Sequence, residues 1–359
     1  MRRELGLSYS QIGLLLGAPT ILSGILEPML GILADTRMRR MLVLAGGILF
    51  GASLALTALS PSFWVLLLSF ILFYPASGAF VSLSQAELMD RDPVRKDQNM
   101  ARWTFAGGAG AVVGPLTLGV GGGIGLGWRE LYLVTAILSA GALALTARFA
   151  FPREAPPGHS EDPDEEPLSF LEGLRGALRA LRRGSVLRWL ALLELANLML
   201  DVLFGFLALY FVEVAGISPA QAALGVTLWT VSEVVGDLLL IPLLDRVDGL
   251  RYLRLSAAAV AVFFICFLVI GPMSAKLVFI AVIGLLRAGW YAILQARLYQ
   301  SLPGQSGVAL ALGNIAGLAG GLIPLGLGAL AQSAGLGATM WVLLAAPIAL
   351  LVGLPRKER

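Results

Sequence analysis

The sequence predicts an all-α polytopic membrane protein built from two related halves. Three observations carry this: a composition too apolar to face water, eleven apolar runs long enough to cross a bilayer, and a second half that repeats the first at a spacing of about 210 residues. Of 359 residues, 57% are hydrophobic and 14% charged, with a mean hydropathy of +0.83. Globular domains carry roughly 25% charged residues. The net charge of +3 is too small to imply a nucleic-acid partner, and the 23 arginines against 3 lysines point to a GC-rich genome. Cys266 stands alone, which rules out an internal disulfide. His159 is the single histidine, so a zinc site or a Ser-His pair has no material. No metal, no cofactor and no enzymatic activity are expected.

A spanning helix needs about 20 apolar residues. Such runs lie at about 10–34, 41–59, 63–86, 101–124, 128–150, 187–213, 219–244, 252–271, 276–299, 306–332 and 337–354. Short breaks with turn chemistry separate them, among them Ser60-Pro61-Ser62 and Gly271-Pro272. The first run is no signal peptide: it is too long, contains Glu27-Pro28 and lacks a cleavage site. Alternating the loops sorts Lys and Arg 21 to 4, with Arg2, Arg3, Arg129 and Lys276 on the poorer side and Arg287 inside a helix. The richer side is cytoplasmic by the positive-inside rule, which puts the C-terminus inside and the N-terminus outside a plasma (inner) membrane.

The longest break divides the chain into an N-terminal bundle (1–150), a cytoplasmic linker (151–186) and a C-terminal six-helix bundle (187–359). The linker opens with PREAPPGHSEDPDEEP, which cannot form a core. Ser169 and Glu172 then have capping-box spacing. Leu171, Leu174, Leu178 and Leu181 alternate with Arg175, Arg179, Arg182 and Arg183 around a helix suited to lie flat on the inner surface.

A shift of 210 places Gly6-Leu7-Ser8-x-x-Gln11 on Gly216-Ile217-Ser218-x-x-Gln221, Asp35 on Asp245 and Gln85-Ala86 on Gln295-Ala296. It also places Gly107 and Gly110 on Gly317 and Gly320. Such repeats build secondary transporters, with substrate bound between the copies near the midplane. The loop Gly31-Ile-Leu-Ala-Asp35-Thr-Arg-Met-Arg39-Arg40 resembles the loop signature of the major facilitator superfamily, departing from it at Thr36 and Met38. The second copy keeps Asp245 and Arg246. The resemblance implies two pseudo-symmetric bundles that rock around a central cavity. It also implies that Asp35 latches the inner gate by bonding to a helix of the other half, with Arg39 and Arg40 holding the loop at the anionic leaflet. The second half has a helix before its Gly-Ile-Ser-x-x-Gln and the first half has only MRRE. The first of twelve helices is therefore expected to be missing, through a late-assigned start or a fragment in preference to a natural eleven-helix transporter, leaving five helices and six.

Charges inside spans cost several kcal/mol unless paired or wet, and mark pathways by default. Glu194, Asn197 and Asp201 share one face of their helix; Glu233 and Asp237 lie a turn apart; Arg287 has Trp290 and Tyr291 at helical spacing. These groups are expected to form a substrate and proton cavity around an Arg287 ion pair, with the leftover acid binding protons or substrate. Glu27, Glu87 and Arg102 are expected in a secondary gate network, Glu27 pairing with Arg102 or extending the gate. Gly110, Gly114, Pro115 and Gly119, with Pro324 in the second copy, resemble the glycine-proline motif of drug/proton antiporters, and their presence in both halves fits helix packing.

Three functions remain open on sequence: a proton-coupled exporter of small organic molecules, a proton-coupled or facilitative importer of a polar metabolite, and a non-transporting remnant or sensor. The first is favoured. The expected partners are a small-molecule substrate and the lipid bilayer, with the chain acting as a monomer. In a Cys266→Ser background, cysteines at Ser60 and Gly271 are expected to react with an impermeant thiol reagent from outside and those at Asp92 and Asp248 are not. Opposite labelling at two of these positions would refute the topology.

Overall fold

The computed structural model describes residues 4–35, 38–123, 125–149, 170–320 and 322–355. Thr36, Arg37, His159, the acidic stretch and Ser169 lie outside the described residues. Among those described the chain is helical, with no strand. The helices are α1 (Tyr9–Ala34), α2 (Arg39–Leu59), α3 (Phe63–Ser77), α4 (Leu83–Arg91), α5 (Lys96–Gly123), α6 (Trp128–Phe149), α7 (Phe170–Ala180), α8 (Gly184–Asn197) and α9 (Leu203–Leu209). They continue with α10 (Pro219–Leu243), α11 (Gly249–Val269), α12 (Met273–Arg287), α13 (Trp290–Gln300), α14 (Ser306–Gly320), α15 (Ile323–Ala334), α16 (Leu336–Val342) and α17 (Ala345–Gly353).

Nine stretches among the described residues are long and apolar enough to cross a membrane. Two sequence runs fall outside that set. The run at 101–124 is the glycine-rich helix α5, and the run at 306–332 is divided between α14 and α15. Several spans are composite. A π-helical turn at Gly78–Ser82 joins α3 to α4, and two more, Leu198–Val202 and Tyr210–Val214, flank α9. π turns carry one residue more per turn and recur at functional sites.

The repeated Gly-x-Ser-x-x-Gln has a local cause. Ser8 N–H donates to Gln11 Oε1 at 2.9 Å, and Gln11 N–H donates to Ser8 Oγ at 3.2 Å. Ser218 and Gln221 make the same reciprocal pair at 3.2 and 3.3 Å. Each is a capping box starting a span, entered through a glycine at positive φ, Gly6 at 61° and Gly216 at 71°. These shared residues start helices, not a binding site.

By contacts the chain forms two compact units. One comprises Met1–Arg91, Gly114–Leu181 and Leu302–Ile315; the other comprises Asp92–Val113, Arg182–Ser301 and Ala316–Arg359. In the first, α2 packs on α3 and α6, and α1 packs on α3 and α7. Phe50 and Phe73 stack with centroids 4.9 Å apart. Ala34, Val43, Ala79, Phe80, Leu83 and Leu310 share one buried cluster, so the first part of α14, up to Ile315, is built into this unit. On α7, Ala177 and Ala180 are buried while Leu174 and Leu178 stay exposed. In the second unit, α10 and α11 pack on α12, and α8 and α11 pack on α17. Lys276 is buried there, donating to Tyr210 Oη at 2.9 Å and the Phe267 carbonyl at 2.7 Å.

Backbone approach is tightest where α1 meets α14. A Cβ at Gly31 would lie 2.7 Å from the Gly307 carbonyl oxygen, and one at Gly307 would overlap the Gly31 carbonyl. By contrast, a Cβ at Gly110 or Gly114 would meet nothing within 4 Å, so neither glycine serves close packing; Pro115 and Gly119 lie further along α5, and Pro324 is exposed on α15. Gly307→Ala is therefore expected to destabilise the protein by about 1–3 kcal/mol, the usual cost of overpacking. Gly110→Ala should be tolerated. Thermal unfolding in detergent compares the two, and equal midpoints would refute the assignment.

Candidate functional site

Asp35 follows the last turn of α1, and its carboxylate sits on the start of α14. Gly307 N–H donates to Oδ1 at 2.6 Å and Val308 N–H donates to Oδ2 at 2.7 Å. The first amides of a helix have no intrahelical acceptor and favour an anion, so a residue of the first repeat caps a helix of the second. Arg39 Nη2 bonds Asp35 Oδ1 at 3.0 Å, and its Nε donates to the Ala34 carbonyl at 2.8 Å, which also closes the end of α1. Arg39 Nη1 reaches Asp90 at 2.6 Å and Glu87 at 3.4 Å, and Asp90 in turn accepts from Ser306 Oγ. Burial pushes the Asp35 carboxyl above its ordinary value, against the downward pull of the two amides and of Arg39. Arg40 is exposed.

The second repeat does not copy this arrangement. Asp245 and Arg246, assigned to the gate by alignment with Asp35, are exposed and make no ion pair among the described residues. The reason lies in the partner helix: the positions matching Gly307 and Val308 are Asp97 and Gln98, and an aspartate at 245 would face another aspartate. The charges have changed places instead. Asp97 bonds Arg297 at 3.1 Å and Gln300 Nε2 at 3.4 Å, while Arg297 also reaches Asp248 at 3.6 Å. Arg297 occupies the position of Glu87, and Gly249 that of Arg39. A Cβ at Gly249 would lie 2.7 Å from Asp97 Oδ2, so the glycine makes room for the carboxylate. Burial raises the Asp97 carboxyl, with Arg297 opposing.

Glu27 and Arg102 have separate partners. Glu27 accepts from Ser23 Oγ at 2.5 Å and from Asn314 Nδ2 at 3.0 Å, whereas Arg102 Nη1 donates to Asn99 Oδ1 at 3.3 Å. The expected Glu27–Arg102 pair is replaced by neutral hydrogen bonds, because Asn314 of α14 lies opposite Glu27. Glu87 belongs with Arg39 in the Asp35 group.

The charges inside the spans gather around Arg287, which is 2% exposed. Its Nη2 pairs with Glu233 of α10, and its guanidinium lies 4.3 Å from the ring centroid of Trp229, one turn back on the same helix. Asp201, in the π turn Leu198–Val202, is exposed and interacts electrostatically with Glu233 and Arg287. Glu194 accepts from Asn197 and lies against Gly320, where a Cβ would overlap its carboxylate.

Asp237 plays a different part from that expected. It is buried, and its Oδ1 accepts the Gly289 N–H at 3.2 Å. Gly289, at φ 76°, interrupts the span between α12 and α13, and Tyr252 Oη donates to the Leu286 and Ala288 carbonyls at 3.1 and 3.0 Å. In a bilayer, broken backbone survives only where such partners satisfy it. The break also separates Trp290 from Arg287: its Nε1 donates to Ser256 Oγ of α11 at 2.9 Å in full burial. Tyr291 is half-buried on α13. The aromatic ring on Arg287 is thus Trp229, which sequence spacing did not single out.

Removing one partner of a buried ion pair leaves the other charge uncompensated, at about 3–5 kcal/mol. Arg287→Ala is expected to reduce folded yield sharply. Arg287→Ala combined with Glu233→Gln should recover part of it, measured by size-exclusion profiles of detergent extracts. No recovery in the double variant would argue against the pair.

A sequence profile of the Major Facilitator Superfamily matches residues 1–324. No curated protein sequence matches the chain. Among solved structures, FucP, a Major Facilitator Superfamily transporter in the outward conformation, is similar at a TM-score of 0.74 and 17% identity, over 97% of this chain and 90% of that one. A variant of the E. coli fucose:proton symporter FucP gives 0.74 at 15% identity, over 96% and 90%. The human organic anion transporter TETRAN gives 0.69 at 20%, over 96% and 83%. At these identities the structural likeness is one of fold. The profile match spans most of the sequence, and the apolar helices make this a multi-pass membrane protein. The chain belongs to the Major Facilitator Superfamily and is a transporter, not an enzyme.

Proposed function

We propose that the protein moves a small organic solute across the membrane by alternating access, driven by the proton gradient, with export as the working direction. The observation that carries the reading is the charge imbalance around Arg287. Glu233 is bound to the single guanidinium, while Asp201, with Glu194 nearby, has no base of its own among the described residues. A carboxylate inside a span without a countercharge is costly unless it is wet or can take a proton, and a carrier coupled to protons needs such a group. Asp35 on α14 is the inner-gate latch of this reading, and Asp97 with Arg297 is its counterpart. The direction rests on the glycine-proline motif of α5. The chain works as a monomer in the plasma membrane, with its C-terminus in the cytoplasm.

One observation favours a second reading, uptake of a polar metabolite. Arg287 Nε and Trp229 Nε1 are buried donors with no hydrogen-bond partner among the described residues, and the oxygens of a polar solute would satisfy them.

Both readings are tested in cells and proteoliposomes. Export lowers accumulation of dyes or drugs on overexpression, and import raises uptake of one metabolite. In either case Asp201→Asn should abolish pH-driven accumulation and spare exchange of solute down its own gradient. PH-driven transport at the parental rate in both Asp201→Asn and Glu233→Gln would overturn proton coupling through this cluster.

A further inference from the structure

At the end of α11 assigned to the cytoplasm, one base has no partner. Arg254 lies in the second turn of the helix and is half-buried, and its Nη2 is buried with no hydrogen-bond partner among the described residues. Arg251, one turn earlier, is exposed and makes no ion pair among the described residues. Asp248 accepts the Arg251 backbone N–H at 3.0 Å and faces Arg297 at 3.6 Å. Asp245 and Arg246 sit exposed in the turn before it. The start of α11 is thus capped from within, and what remains free to bind is the two guanidiniums. At a shift of 210 the matching residues of the first half are Met41 and Leu44, so the fold itself does not call for a base at either place.

The surroundings of the two arginines are those of a lipid. Residues three apart are neighbours on a helix surface, so Arg251 and Arg254 can close on one anion. Arg251 also heads an exposed stripe that continues through Leu255, Ala258, Val262, Ile265 and Val269 in steps of four and three. From Leu255 to Ile265 the stripe runs about 15 Å, the depth of hydrocarbon in one leaflet. One flank of the stripe faces α12: Tyr252 bonds the Leu286 and Ala288 carbonyls, and Phe263 packs on Phe279 with centroids 6.0 Å apart. Arg254 is on the other flank, about 160° from Tyr252 around the helix. That flank is left for α17, which also packs on α11 and exposes Ile348 and Val352.

We infer that Arg251 and Arg254 hold the phosphate of an anionic phospholipid of the inner leaflet, with an acyl chain laid along Leu255 to Ile265 beside α17. Guanidinium forks match phosphate oxygens in shape and charge, and the inner leaflet is where anionic lipid is found. The lipid supplies two things at once: an acceptor for the buried Nη2 and an apolar cover for the stripe. A soluble anion would supply only the first. Bound there, the lipid bridges α11 and α17 at the rim and ties the last span to its neighbour. The inference goes beyond the proposed function, since it concerns neither the transported solute nor the proton and holds for either direction of transport.

The test reads lipid contact at the stripe. A bimane fluorophore on Ala258→Cys, in a Cys266→Ser background in lipid nanodiscs, is quenched by brominated lipid that touches it. Ile48→Cys carries the control label, at the matching exposed place in the first half. At the Ala258 label, brominated phosphatidylglycerol is expected to bind about tenfold more tightly than brominated phosphatidylcholine of the same chains, the lower end of what a hydrogen bond to a charged group contributes. The Ile48 label should not distinguish the two lipids. Arg254→Gln should remove most of the preference, and Arg254→Lys, which keeps the charge and loses the fork, should retain part of it. Arg251→Gln, an exposed substitution on which folding does not depend, should lower it as well. Equal quenching by the two lipids in the parent, or the parental preference in the Arg251→Gln and Arg254→Gln double variant, overturns the inference. So does the same preference at Ile48, which would reduce the effect to a general attraction of anionic lipid, or displacement by millimolar glycerol phosphate, which would make the site one for soluble anions. Transport is not read, so failure of the proposed function leaves the result intact.

Discussion

A helix that starts buried inside a protein must find acceptors for its first amides, because burial removes the water that would otherwise supply them. Gly307 and Val308 at the start of α14 are buried. For α14 that acceptor is Asp35. Much of the surrounding chemistry follows from placing a carboxylate there. Arg39 balances its charge and closes the end of α1, and Asp90 anchors Ser306 one residue ahead of the capped amides. Gly31 and Gly307 are glycines because the two backbones must come close enough for the bonds to form.

Nine of the eleven runs were legible as spans because hydropathy depends on composition alone: the run read at 41–59 became α2, Arg39–Leu59. The π turns were not legible, since one extra residue per turn leaves no compositional trace. At the candidate site, Asp35 stood out through its loop signature, and Glu233 and Arg287 through being charges in apolar runs. Asp97 and Arg297 did not stand out. At span ends they look like ordinary topology charges, and only the fold brings them together. Trp229 is one apolar residue among many until a guanidinium lies on it. Trp290 was assigned to the Arg287 face by helical spacing, and the break at Gly289 resets that spacing.

The repeat separates two kinds of residue. Features kept in both halves, such as the Ser8 and Ser218 capping boxes, start helices and recur because both halves need them. Features found in one half are polar and charged contacts: Glu27 with Asn314, Arg287 with Glu233, and the exchanged charges of Asp97 and Arg297. Symmetry in this chain is a guide to how the helices start, and the departures from it are where charges are paired inside and between helices.

The exchanged charges also bear on how the chain is made. The start of α5 leaves the ribosome some two hundred residues before the start of α14, so the wrong helix is the first available partner for Asp35. Were α5 to begin with Gly and Val, as α14 does at 307 and 308, its amides could capture that carboxylate long before the intended helix was synthesised. With Asp97 at that position the start of α5 presents a carboxylate where α14 presents bare amides, so two like charges would meet there and the pairing is disfavoured.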